Sequence, residues 1–159
     1  MIRRVLTFPH QRLKRVCEPV DARTALSIAE DLIDTMRAHE RCVGLAAPQI
    51  GEPVRVAVVD VSGHRLTSSA HGLIVMANPE LLASAGHHVA REGCLSIPDV
   101  TADVARAERI FFSPREACTL WSDGFEARAI QHEMDHLDGI LILDRVASAH
   151  ALHARRVSP

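Results

Sequence analysis

Residues 131–139 read QHEMDHLDG, with His132 and His136 four apart and Glu133 directly after the first. On a helix the two imidazoles lie about 40° apart around the axis and one turn apart along it, so both can reach one cation. Glu133 falls about 60° beyond His136. That is a poor place for a third ligand on the same vertex and a good one for a base acting on water that a cation has acidified. The pattern arises by chance in roughly four chains in a hundred of this length and composition, so it needs support from elsewhere in the chain.

A catalytic cation usually takes three protein ligands and keeps one position open. In the longer pattern with a third histidine, that histidine would stand where Ile142 is. Asp138 and Asp144 lack the usual spacing, and His150 and His153 fall in a polar, alanine-rich tail. The third ligand is therefore expected from upstream. REGCLSIPD (91–99) sets Cys94 between Gly93, which permits close backbone approach, and Leu95, with Pro98 shaping the exit. As a thiolate, Cys94 could complete a Cys-His-His set. VGLAAPQIG (43–51) adds Gly44, where backbone can approach a ligand, and Gln49, whose amide carries N–H donors.

These residues need elements to position them. Phe125, Ala129, Ile130, Met134 and Leu137 form a helical stripe through the histidine motif. Asp123 followed by Glu126 predicts a reciprocal cap at its start, and Gly139 suits a left-handed stop. Residues 21–39 predict another helix, capped by Asp21, with Leu26, Ala29, Leu32, Ile33 and Met36 on one face. ERCVGLAAPQIGEP (40–53) reads as a loop. VRVAVVDV (54–61) and LIVMANPEL (73–81) read as strands, the latter broken at Asn78-Pro79. Residues 87–91 and 100–105 predict short strands, and RIFF and ACTLW a hairpin around SPRE. The last dozen residues read as a weak, helix-inclined tail. Helix, strands, then helix predicts an α+β fold, mostly antiparallel sheets packed around a central helix that carries His-Glu-x-x-His.

A chain of 159 residues with net charge −2 is expected to form one domain, residues 1–159. No basic stripe suggests nucleic acid, and no apolar run approaches a membrane span. MIRRVLTFPHQRL lacks a signal-peptide core, so the cytoplasm is the expected compartment. Cys17, Cys42, Cys94 and Cys118 contain no Cys-x-x-Cys pair and do not read as a disulfide framework.

The blocks GLAAPQIG, EGCLS and QHEMDHLDG, in this order, resemble the three signature motifs of the peptide deformylases. LTFPHQRLKRVCEPV resembles that family's opening segment, and the likeness runs from about residue 2 to about 146. The resemblance implies Cys94, His132 and His136 as metal ligands and Glu133 as the acid/base. It implies Gln49 and the Leu95 N–H as the groups that hold a carbonyl oxygen, and Gly44 as a cleft residue. Val43 and Ala129 are expected beside the substrate side chain. The implied reaction removes the N-formyl group from formyl-methionine at the start of nascent peptides and releases formate. The ligand set alone suits zinc; the resemblance implies Fe(II), with Zn, Ni or Co able to replace it. It also implies a formylated nascent peptide as partner, contact with the ribosome, and a monomer or weak dimer. Two other readings stay open: hydrolysis of a different formamide or small amide, and a catalytically silent metal-binding or ribosome-associating protein.

The match departs from the family at four places. Cys42 replaces a usual glycine and is expected to face away from the site. The RIFF–ACTLW hairpin looks trimmed, and Thr101 stands where many members carry an arginine. The tail after Asp144 is short for the long terminal helix of some members.

Overall fold

The computed structural model describes residues 1–146 and 148–155. After a 3₁₀ turn at Gln11–Lys14, the chain forms α1 (Ala22–Arg37), β1 (Gly44–Ala46), a 3₁₀ turn (Ala47–Ile50), β2 (Val56–Val59) and β3 (Ile74–Ala77). Then follow β4 (Glu80–Ala85), β5 (His88–Cys94), β6 (Ile97–Arg106), β7 (Arg109–Arg115) and β8 (Cys118–Asp123). The chain continues through α2 (Gly124–Leu137), α3 (Ile142–Arg145), a 3₁₀ turn at Ala149–Ala151 and β9 (Leu152–Ala154). The strands of the described residues make three antiparallel sheets, ordered β1-β2-β3, β4-β7-β8 and β5-β6-β9. The fold is α+β, as expected.

Alternation along β2 builds the core. Val56 and Val58 point to α1 and join Ala25, Ala29, Leu32 and Met36. Ala57 and Val59 point to the other face and join Ala127, Ala129, Ile130 and Leu137 of α2. One sheet thus holds both long helices apart, because successive strand side chains leave opposite faces. Each large apolar side chain buried this way stabilises the fold by roughly 1.5–3 kcal/mol. A third cluster, including Leu13, Ile97, Val104 and Leu141, sits behind Cys94.

Helix α1 keeps its expected cap, with Asp21 Oδ1 accepting from the Thr24 N–H at 3.0 Å. Ala29, Leu32 and Met36 are buried as expected and Ile33 packs against them, but Leu26 is 65% exposed, and Ala25 and Thr35 are buried in addition. The cap of α2 also differs. Asp123 makes no side-chain bond to the helix N-terminus. Glu126 instead accepts from the His71 N–H at 2.7 Å and from Ser122 Oγ at 2.8 Å, so it is used to tie down a loop. Gly139 ends α2 with φ +70°, and a Cβ there would lie 2.7 Å from the Lys14 carbonyl oxygen. Both constraints require glycine.

The segment read as a loop contains β1 and a 3₁₀ turn, because Gly44, Leu45 and Ala46 pair with Val59, Val58 and Ala57. The strands over 88–94 and 97–106 are longer than expected and close through the two residues Leu95 and Ser96. The tail contains a strand: Leu152, His153 and Ala154 add to the edge of β6. His153 Nε2 is fixed at 2.7 Å from Asp103 Oδ2. The rest of the tail, 156–159, lies outside the described residues. No helix among the described residues is long and apolar enough to cross a membrane.

Candidate metal centre

The last residue of β5 delivers Cys94, and the final turns of α2 deliver His132 and His136. One ligand atom from each lies within 4.8 Å of the others. Cys94 Sγ and His136 Nε2 are 3.3 Å apart. A tetrahedral cation with ordinary sulfur and nitrogen bond lengths sets its S and N ligands about 3.6 Å apart. The three donors are therefore already spaced to share one ion, and their chemistry, one thiolate and two imidazoles, suits a transition metal.

Electrostatics favour a thiolate at Cys94. Burial alone would push the Cys94 thiol up, but the imidazoles of His136 and His132 outweigh it and hold Cys94 well below the ordinary thiol range. Glu92, two residues before Cys94 on the same strand face, lies 2.8 Å from His132 Nδ1. Burial opposes its charge, yet His132 and Arg106 hold Glu92 below the usual carboxylate range. An ionised Glu92 accepts, so His132 Nδ1 donates; burial opposes a charged ring, but Cys94 and Glu92 hold His132 well above the ordinary imidazole range, so a cation would take Nε2 in exchange for a proton.

A buried charge network supports this pair. Arg106 donates to Glu92 at 2.9 Å and to Asp135 at 2.8 Å, and Arg128 donates to Glu92 at 2.8 Å. Arg145 donates to Asp135 at 3.0 Å. Hydrophobic periodicity cannot see these residues, because α2 buries Arg128, Asp135 and His136 as well as its apolar stripe. Strand alternation does point to Glu92, since it shares a face with Cys94.

Glu133 is buried, and burial pushes its carboxyl up to about 7. Its Oε2 has no hydrogen-bond partner among the described residues. Gly44 explains how the carboxyl is placed. A Cβ on Gly44 would stand 2.6 Å from Glu133 Oε1 and 2.9 Å from Cγ, so the bare β1 backbone forms the wall against which Glu133 packs. His136 Nδ1 is likewise buried without a partner.

Gln49 is 2% exposed and locked in one orientation. Its Oε1 accepts from the Ala46 N–H at 2.9 Å, which turns Nε2 toward Ser96 Oγ at 3.1 Å and Cys94 Sγ at 3.7 Å. The N-terminal segment braces both motif loops: the Leu6 N–H donates to the Gln49 carbonyl and the Phe8 N–H to that of Ser96. Leu95 occupies the hairpin turn after Cys94.

A cavity of about 270 Å³ opens onto this cluster. Of the residues expected at the site, Val43, Gly44, Gln49, Cys94, Leu95, Ala129, His132 and Glu133 line it, and His136 is buried and does not. Ala129 also belongs to the core cluster under α2, with Val43 packed against it. Cys42 does not face away as expected. It lines the cavity, its Sγ donates to the Gly44 carbonyl at 3.2 Å, and burial with Glu133 nearby pushes its thiol up to about 12.

Comparisons with known proteins agree with this arrangement. The chain is 40% identical over 152 residues to peptide deformylase 1 of Bacillus subtilis, covering 92% of this chain and 91% of that protein. The crystal structure of the peptide deformylase from Thermotoga maritima superposes with a TM-score of 0.80 at 35% identity, over 93% of this chain and 99% of that one. A Met-Ala-Ser-bound class I type b peptide deformylase from Acinetobacter baumannii gives 0.81 at 32% identity, over 92% and 99%. The family model for polypeptide deformylases matches residues 2–151, a span that includes all three motif blocks and the strands joining them, and the chain belongs to that family.

Proposed function

We propose that this protein removes the N-formyl group from formyl-methionine at the start of nascent peptides, releasing formate and a free amino terminus. The observation that carries the reading is the convergence of Cys94, His132 and His136 beside a buried Glu133, at the end of a cavity, in a member of this family. Cys94, His132 and His136 would hold one divalent cation; the identity we favour is Fe(II), with Zn, Ni or Co able to substitute. When bound, the cation supplies a Lewis acid that acidifies water and polarises the formyl carbonyl.

The chain's own residues supply the rest. Glu133, with a carboxyl raised to about 7, can take a proton from the attacking water and return it. As the C–N bond breaks, Glu133 delivers that proton to the leaving amine nitrogen, and formate keeps the water oxygen. Gly44 holds Glu133 in place from behind. The Leu95 N–H and one Gln49 N–H, the latter moving off the Cys94 sulfur, would meet the developing negative charge on the formyl oxygen. One such donor contributes on the order of 3 kcal/mol to transition-state stabilisation. Val43 and Ala129 offer apolar surface to the methionine side chain. We take residues 1–159 as one catalytic domain built around α2, working in the cytoplasm on chains leaving the ribosome.

Formate release from formyl-Met-Ala-Ser tests the proposal, and free N-formylmethionine serves as the competing small formamide. Wild-type protein turns over the peptide in preference, and Glu133→Ala does not. Full turnover by Glu133→Ala would remove the acid/base assignment, and preference for the small formamide would replace the peptide substrate.

A further inference from the structure

The tail strand does more than cover a sheet edge. Antiparallel pairing sets Gly93, Thr101 and His153 in one row across β5, β6 and β9. Arg155 follows two residues after His153, and its N–H donates to the Asp99 carbonyl at 2.9 Å, so its backbone is fixed to β6. Its side chain reaches back across this row. A Cβ built on Gly93 would lie 3.8 Å from Arg155 Cζ and Nη2 and 3.7 Å from Thr101 Cγ2. The small residues at 93 and 101 leave a trough, and the guanidinium lies over it, on the wall of the cavity.

Among the described residues this cation has no ion-pair partner. The arginine ion pairs of the described residues engage Arg3, Arg55, Arg91, Arg106, Arg128 and Arg145. Arg155 is in none of them. Its neighbour on the wall, Arg91, is held to Asp103 at 3.1 Å, and Asp103 is also bonded to His153 of the same tail strand. Among the described residues, Asp99 is the cross-strand neighbour of Arg155 on β6 and makes no ion pair with it; of the carboxylates on the cavity wall, Glu40 lies at the rim and Glu92 already has Arg106, Arg128 and His132. A planar five-donor fork with no anion paired to it among the described residues fits a carboxylate.

We propose that Arg155 is a specificity-determining residue that binds a carboxylate carried by the peptide downstream of its formyl-methionine. This deepens the deformylase reading and rests on it. Electrostatic attraction at an exposed rim is modest and salt-sensitive, so the effect is a preference of about three- to fivefold.

The test compares C-terminally amidated formyl-Met-Ala-Glu and formyl-Met-Ala-Gln, which differ only in that charge. At low salt the wild-type protein processes the Glu peptide with the higher kcat/KM, the difference lying in KM. The ratio falls toward one in Arg155→Ala, is partly kept in Arg155→Lys, and shrinks with added salt. Comparing free-acid with amidated formyl-Met-Ala-Gln separates a terminal carboxylate from an acidic side chain as its source. A wild-type ratio of one in both comparisons, or a preference that survives Arg155→Ala, overturns the inference while leaving deformylation intact. Turnover of none of these peptides overturns the deformylase reading and this inference together.

Discussion

Gly44→Ala should damage activity more than folding. Gly44 is paired in β1 and its φ is not in the left-handed region, so alanine is tolerated by the backbone. The added methyl would stand 2.6, 2.9 and 3.0 Å from Glu133 Oε1, Cγ and Cδ. Ordinary contact begins near 3.4 Å, so the carboxyl must move by most of an ångström or β1 must bend. Turning one buried side chain off its rotamer, with some overpacking, costs about 1–2 kcal/mol of stability. A proton-transfer group displaced by about 1 Å costs on the order of 100-fold in rate, or about 2.7 kcal/mol. Cys94, His132 and His136 lie on β5 and α2 and are untouched. The expected variant therefore folds, keeps its metal stoichiometry, and loses about 100-fold in kcat with KM little changed. Formate-release kinetics, denaturant unfolding and metal analysis read the three quantities separately. A kcat within threefold of wild type, in a folded variant with full metal content, would refute the placement of Glu133 by the β1 backbone.

Further outcomes follow from the same contacts. Glu92→Gln removes the charge that orients His132 and leaves Arg106 and Arg128 without their shared carboxylate, so metal affinity should fall about 10- to 100-fold in a chelator competition; unchanged affinity would show that His132 is held by other means. Phe112→Ala empties a fully buried site beneath α2 and should cost about 3–5 kcal/mol in denaturant unfolding. Asp144 caps α3 through the Leu141 N–H and pairs with Lys14; burial opposes its charge, but these partners hold its carboxyl below the usual range. A lowered folded-state value adds stability that is present above the unfolded carboxylate range and lost as pH falls through the folded one. Acid unfolding of Asp144→Asn should therefore be less steep than that of wild type, and identical curves would exclude the coupling.

The sequence alone determined the parts of this protein that rest on local physics. The four-residue spacing of His132 and His136, the Asp21 cap, the Gly139 stop and the valine-rich β2 depend on helix pitch, hydrogen-bonding reach and side-chain alternation, all of which a linear chain displays. Ligand chemistry added that two imidazoles needed a third donor from upstream, and Cys94 stood in the most suitable surroundings. Tertiary structure decided what depends on residues distant in the chain. Glu92 orients His132 across forty residues. Gly44 acts through Glu133, and Cys42 turns into the cavity because Val43 and Gly44 run along it. Glu126 looked like a helix cap but is spent on His71 and Ser122, and a tail that read as weakly helical closes a sheet edge and carries Arg155 to the site. Polar partners and edge pairings are selected by which surfaces meet when the core closes, and no period in the sequence records that meeting.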